Sequence, residues 1–116
     1  MEIQADTSSD GQKMIVVKEQ SDLRIVCEIT PAASSSVEWT MNTHTTLTTG
    51  TDRVEMSQRN TTVNGQLTTL HTLIIRQTST LMDIGTYECR SDSELDRVYV
   101  NIARLASLSF QSVSIT

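Results

Sequence analysis

The chain has 116 residues, the size of one domain, and its balance of 37% apolar and 20% charged residues suits a soluble globular protein with a modest core. The formal net charge of −5 argues against a nucleic-acid or anionic-membrane surface, because either would need a basic stripe. No run of eighteen apolar residues that could span a bilayer is present, and residues 1–12 lack the apolar centre of a signal peptide. If the protein is secreted or anchored, we expect its targeting segments outside this sequence.

Strand patterns recur along the first half of the chain. The first predicted strand covers residues 13–19, a run rich in Val and Ile. In residues 23–29, apolar and polar side chains alternate, which places Cys27 on the buried face of a strand. The same alternation in residues 37–41 turns Trp39 inward.

A hairpin signal marks the middle of the second half. Asn64 and Gly65 both accept a positive φ, which a tight two-residue hairpin turn requires. We expect them to join a strand that ends near Arg59 to one that begins near Leu67.

Two further strands with a period of two end the domain. Residues 85–91 place Tyr87 and Cys89 on one face, and residues 98–102 alternate apolar with polar side chains. Cys27 and Cys89 could be two free thiols or one disulfide bridge, and their spacing alone does not decide between these states.

These patterns divide the chain into three parts. Residues 1–12 are expected to form a flexible N-terminal segment, residues 13–103 one sandwich domain, and residues 104–116 a C-terminal extension or a linker to a following domain. The extension could also pair with a sheet edge. Its apolar side chains are more regular than a solvated tail needs, and they are Leu105, Leu108, Phe110, Val113 and Ile115.

One set of residues carries a family resemblance when its members are taken together. It consists of Cys27, Trp39, Arg53, Leu73-x-Ile75 and Asp83-x-Gly85-x-Tyr87-x-Cys89. The set resembles the immunoglobulin superfamily, and is most similar to the intermediate set of neural adhesion molecules and receptor ectodomains. The resemblance implies an all-β fold, an immunoglobulin-like two-sheet antiparallel Greek-key sandwich.

The resemblance also implies a structural centre. In a member that matures in an oxidising compartment, Cys27 and Cys89 would form a disulfide between the two sheets, with the indole of Trp39 packed against it. Tyr87 would send its hydroxyl group back to nearby backbone.

The end of the sandwich beside Asp83 is expected to be closed by a salt bridge between Arg53 and Asp83. Thr78 departs from the family pattern, since an apolar residue is usual there. We expect the side chain of Leu81 or Met82 to fill the space instead.

Asn60 begins the chain's Asn-x-Ser/Thr tripeptide, Asn60-Thr61-Thr62, beside the predicted hairpin. In a secreted protein this site would accept an N-linked glycan. The alternative is a chance tripeptide, because threonine is common in this chain.

One sheet face is the candidate partner-binding surface. Its members are predicted to point outward on neighbouring strands, and they are Glu38, Thr40, Glu88, Arg90, Arg97 and Tyr99. Tyrosine and arginine are favoured at binding hot spots, and members of the family often bind through this sheet. The alternative is an ordinary solvated face whose ion pairs contribute little.

The sequence offers no candidate catalytic or metal site and implies no cofactor. His44 and His71, its two histidines, lack ligand-like spacing to an acid or a cysteine and are expected to be surface residues. No serine lies in a Gly-x-Ser-x-Gly elbow. We therefore expect a protein that is not an enzyme.

Two functions follow from the resemblance. The first is an extracellular protein-recognition module of a cell-surface adhesion molecule or receptor, a glycoprotein fragment without membrane contact of its own. Its partner would be another cell-surface or secreted protein, or a second copy of itself, bound through a sheet face or edge. The alternative is an intracellular structural domain of a muscle or cytoskeletal protein, with reduced cysteines.

Overall fold

The computed structural model describes residues 1–32, 37–50, 53–91 and 94–104. In these residues the chain forms ten strands, which are β1 (Glu2–Ile3), β2 (Asp6–Thr7), β3 (Lys13–Lys18), β4 (Leu23–Ile29), β5 (Glu38–Met41), β6 (Thr45–Thr46), β7 (Val54–Val63), β8 (Gln66–Ile75), β9 (Gly85–Ser91) and β10 (Glu94–Ala103). No helix among the described residues is long and apolar enough to cross a membrane. Residues 105–116, nearly all of the predicted C-terminal extension, lie outside the described part.

The strands form two sheets that pack face to face. The first sheet has the order β1-β4-β8-β7, and the second has the order β2-β3-β10-β9-β5-β6. This arrangement confirms the predicted all-β sandwich. One strand pair departs from the antiparallel expectation, because β3 runs parallel to β10. The two can be parallel because β4 to β9, across both sheets, separate them along the chain.

The core lies between the sheets and consists of the inward side chains that the alternation marks. In β4, Leu23, Ile25 and Cys27 are completely buried, and Arg24 between them is exposed. In β10, Val98 and Val100 are buried in the same way from the other sheet. Inward residues of both sheets therefore share one apolar layer.

The N-terminal segment is part of the sandwich, so the predicted domain boundary at residue 13 lies too late in the chain. Ile3 is only 1% exposed and belongs to the core, and β1 pairs with β4 through Ile3 and Cys27. Asp96 Oδ2 accepts hydrogen bonds from Ile3 N at 2.7 Å and from Lys13 Nζ at 2.5 Å. The strands β1 and β2 have two residues each, which is too few for an alternation of apolar and polar side chains to be recognised in the sequence.

The hairpin between β7 and β8 has its turn at Asn64 and Gly65, whose φ values are 51° and 81°. Val63 pairs with Gln66, so β7 extends beyond the predicted end near Arg59. This long hairpin makes β7 one edge of the first sheet.

Candidate interaction surface

The outer face of the second sheet is the surface where the predicted binding residues meet. We define it by the outward side chains of β3, β5, β9 and β10, which are Met14, Val16, Glu38, Thr40, Glu88, Arg90, Leu95, Arg97 and Tyr99. The direction follows from the buried residues between them: Val98 and Val100 point into the core, so Arg97 and Tyr99 point away from it.

Strand register places these side chains in rows across the sheet. Glu88 lies between Thr40 on β5 and Arg97 on β10, and Glu38 lies opposite Arg90. The structure thus brings all six predicted residues onto one face, with Tyr99 one row further along, beside Met14.

Glu88 is the centre of an ion-pair cluster on this face. Arg90 Nη2 donates to Glu88 Oε1 at 2.9 Å, and Arg97 Nε donates to Oε2 at 2.8 Å. The two arginines cover the carboxylate, which is only 3% exposed although it points away from the core. The hydrogen bond from Arg97, together with that from Arg90, lowers the pKa of Glu88 below its usual value. This carboxylate is therefore held ionised and oriented.

Thr40 adjoins this cluster and has an unusual hydroxyl group. Its Oγ1 is shielded from solvent and is the one buried side-chain polar atom in the described residues that has no hydrogen-bond partner. The hydroxyl group of Thr40, beside Glu88, therefore makes no hydrogen bond in the described residues.

Apolar side chains that are not among the six predicted binding residues border the ionic cluster. Val16 is 59% exposed, Leu95 is 41% exposed and Met14 is 37% exposed. The signal was present in residues 13–18, whose central residues are apolar at both inward and outward positions. A strand with one solvated face normally alternates apolar and polar side chains, so apolar residues on both faces of β3 depart from that pattern.

Behind the outer face, Cys27 and Cys89 form a disulfide between the two sheets. Trp39 is completely buried and is the cross-strand neighbour of Cys89. The bridge closes a loop over a sequence separation of 62 residues, which corresponds to about 4 kcal/mol of stabilisation in the chain-entropy model. The disulfide thus links the sheet that carries the outer face to the other sheet.

His71 is buried, so the expectation of two surface histidines was wrong for this residue. It lies opposite Cys27 in the first sheet, and its Nδ1 accepts a hydrogen bond from Trp39 Nε1 at 2.8 Å. Burial lowers its pKa, because the charged imidazolium is poorly solvated there. The alternation with Leu73 and Ile75 could have revealed its inward direction. His44 is exposed, in the turn between β5 and β6.

A network around Asp83 closes one end of the sandwich. Arg53 Nη1 and Nη2 donate to the two carboxylate oxygens of Asp83 at 2.8 and 3.1 Å. Ser79 N donates to Asp83 Oδ2 at 2.7 Å, and the Tyr87 hydroxyl donates to the backbone oxygen of Asp83 at 2.7 Å. Burial and the nearby Asp83 carboxylate raise the pKa of Tyr87, so its hydroxyl stays protonated as a donor.

Thr78 occupies the position near this network where an apolar residue was expected. Its hydroxyl donates to Lys18 O at 3.2 Å and to Ser21 O at 2.9 Å, and the residue is 1% exposed. The expectation that Leu81 or Met82 would fill this space was wrong, because both are exposed.

Asn60 lies on the edge strand β7 of the first sheet, away from the outer face. Its side chain is exposed at the strand surface, and its Oδ1 accepts a hydrogen bond from Thr69 Oγ1 at 2.8 Å. Among the residues that the structure describes, no three His, Cys, Asp or Glu side chains are grouped to hold a metal ion.

The fold is shared with known structures although the sequence is not close to theirs. No family model and no curated protein matches the chain. Domain I10 from titin has a TM-score of 0.58 and 21% identity, and the match covers 77% of this chain and 88% of that chain. Dpr1 IG1, crystallised bound to DIP-eta IG1, has a TM-score of 0.60 and 18% identity, with 78% and 87% covered.

The Ig1 domain of mouse SynCAM 2 gives a similar result. Its TM-score is 0.59 at 14% identity, and the match covers 79% of this chain and 93% of that chain. Identities this low establish the architecture and leave the partner open. With its two packed sheets, the bridge from Cys27 to Cys89 and the buried Trp39, the chain is a domain of the immunoglobulin fold.

Proposed function

We propose that the chain is an extracellular protein-recognition module of a cell-surface adhesion molecule or receptor, and that it binds a protein partner through the outer face. The observation that carries the proposal is the composition of that face. Exposed Met14, Val16 and Leu95 border the ion-paired Glu88, with the half-buried Tyr99 beside Met14. Tyrosine, methionine and arginine are enriched in protein interfaces.

The mechanism would be surface complementarity without chemistry. Because Glu88 is already paired with Arg90 and Arg97, a partner could cover this carboxylate without leaving it unpaired. The apolar border would supply most of the favourable free energy through loss of water contact.

Location outside the cell is supported by the disulfide and by the exposed Asn60. Disulfides persist in oxidising compartments. A glycan on Asn60 would project from the β7 edge of the first sheet and leave the outer face free. Protein from a secretory host should carry the glycan, and its intact mass should rise on reduction by the mass of two hydrogen atoms.

The alternative is an intracellular structural module. It is favoured by the likeness to titin domain I10, which is as strong as the likeness to the adhesion-type domains. Free thiols in protein isolated from its native source, with Asn60 unmodified, would support this alternative.

Binding can be tested with a panel of purified cell-surface ectodomains that includes a second copy of this chain. The variant Val16→Asp should weaken binding to any partner found by at least about tenfold, because it places an unpaired carboxylate in the interface. The matched control is Ser57→Asp, an exposed position on the edge strand of the other sheet. Equal loss in both variants, or no loss in Val16→Asp, would refute the outer face as the binding surface.

A further inference from the structure

The turn between β8 and β9 holds two large apolar side chains in solvent. Leu81 is 89% exposed and Met82 is 58% exposed. The turn is fastened by its own hydrogen bonds: Leu81 N donates to Ser79 Oγ at 3.1 Å, and Asp83 N donates to Ser79 O at 2.9 Å. Ser79 N donates in return to Asp83 Oδ2. Since Asp83 is also held by Arg53, the backbone that presents Leu81 and Met82 is braced at both ends.

The chain leaves the sandwich beside this turn. Ala103, the last residue of β10, accepts a hydrogen bond at its backbone oxygen from Glu19 N at 2.8 Å. The carboxylate of Glu19 accepts a hydrogen bond from Thr80 Oγ1 at 3.1 Å. Glu19 therefore forms hydrogen bonds both with Ala103, at the end of the last strand, and with Thr80, the residue before Leu81.

The sequence that follows has the composition to cover these side chains. Residues 105–116, whose structure is not described, contain no charged residue and have five large apolar side chains, including Phe110, the chain's one phenylalanine. Twelve extended residues reach at most about 40 Å, which is far more than the turn requires. An uncharged apolar segment gains free energy when it covers apolar surface, and Leu81 is the most exposed large apolar residue among those described.

We propose that residues 105–116 dock on Leu81 and Met82, so that this turn is an internal docking site for the C-terminal segment. The docked segment would set the direction in which the chain continues beyond the sandwich. The site lies at the end of the sandwich and uses none of the outer-face residues. Docking there therefore does not depend on the proposed function.

The first test measures how fast hydrogen peroxide oxidises Met82 in the whole chain, by mass spectrometry of its peptides. Docking should slow the reaction about fivefold relative to the variant Leu108→Ser/Phe110→Ser, which corresponds to about 1 kcal/mol of docking free energy. Met14 on the outer face is the internal reference, and its rate should be equal in both proteins. The control variant Ser109→Ala changes a polar residue of the same segment and should keep Met82 protected.

The second test approaches the contact from the other side. Chymotrypsin cleavage after Phe110 should be faster in Leu81→Ser than in the whole chain, whereas Leu67→Ser should leave it unchanged. Leu67 is the matched control because it is 56% exposed and lies beside the hairpin turn of β7 and β8. Equal Met82 oxidation in the whole chain and the Leu108→Ser/Phe110→Ser variant would overturn the proposal. Protection that increases with protein concentration would also overturn it, because the cover would then come from a second copy.

Discussion

Trp39 donates its indole N–H to Nδ1 of His71 at 2.8 Å, and the bond joins the two sheets beside the disulfide. The indole needs a lone pair from the imidazole, so His71 must be neutral at Nδ1 for the bond to exist. The apolar layer between the sheets therefore contains one polar contact that depends on protonation.

The stability of the domain should depend on pH through His71. Its pKa is lowered in the folded chain, so the unfolded chain binds the proton first as the pH falls. The contribution of neutral His71 should be complete above about pH 6.5 and should decrease as the pH drops below that value. It should level off once the folded chain is protonated as well.

Urea denaturation followed by circular dichroism between about pH 5 and 7 would measure this effect. The variant His71→Gln should lose the histidine component of the slope, whereas His44→Gln, which removes the exposed histidine, should retain it. Identical slopes in the parent chain and in His71→Gln would contradict the assignment.

The Tyr87 hydroxyl should contribute to stability in a way that the Tyr99 hydroxyl does not. The change Tyr87→Phe removes the donor to the Asp83 backbone oxygen and should reduce the free energy of unfolding by about 1 kcal/mol. Tyr99→Phe changes the chain's other tyrosine, on the outer face, and should remain within about 0.5 kcal/mol of the parent. Equal effects of the two changes would show that the Asp83 contact is not important for stability.

Gly85 should not tolerate a side chain while Asn42 is present. A Cβ at Gly85 would lie 2.4 Å from Asn42 Oδ1, which accepts a hydrogen bond from Thr86 N. We expect Gly85→Ala to cost about 2 kcal/mol, from the displaced amide and the unfavourable φ of 153°.

The double variant Gly85→Ala/Asn42→Gly separates the two causes. Asn42 has a φ of 54°, which glycine also accepts, so its replacement relieves the collision without straining the turn. Gly85→Ala should therefore reduce the free energy of unfolding less in the Asn42→Gly background than it does in the parent chain. If the two changes are simply additive in thermal or urea unfolding, the clash is not the cause.

Ile3 should stabilise the domain as a core residue does. The truncation Ile3→Ala should cost about 2–3 kcal/mol, because Ile3 is buried against the strand that carries Cys27. Gln4→Ala changes an exposed neighbour and serves as the control. A cost for Ile3→Ala no greater than that of the control would show that the N-terminal segment does not stabilise the domain.

Side-chain alternation and the family resemblance predicted the sandwich and its centre, because an inward Cys27, Trp39 and Cys89 allow few arrangements of two sheets. Other features needed three-dimensional information. Ile3 lies in a strand too short to show a period. The lack of ligand-like spacing around His71 led to the expectation of a surface residue, although its alternation with Leu73 indicates an inward direction. A single sequence also did not show that Thr78 could be buried with backbone oxygens as its partners.

The candidate site was predictable in part. The outward positions of Glu88, Arg90 and Arg97 followed from alternation, because their buried neighbours were recognisable. Their mutual pairing depends on strand register, which joins β9 to β10 and cannot be read from either strand alone. Met14 and Val16 belong to the same face because β3 lies parallel to β10, a pairing between strands far apart in sequence.

Methyl NMR of the chain with a bound protein partner tests recognition through the outer face most directly. If the outer face binds the partner, binding should shift the methyl resonances of Met14, Val16 and Leu95 and leave those of Leu67 and Val63, on the hairpin of the other sheet, unchanged. Shifts confined to Leu67 and Val63 would contradict it.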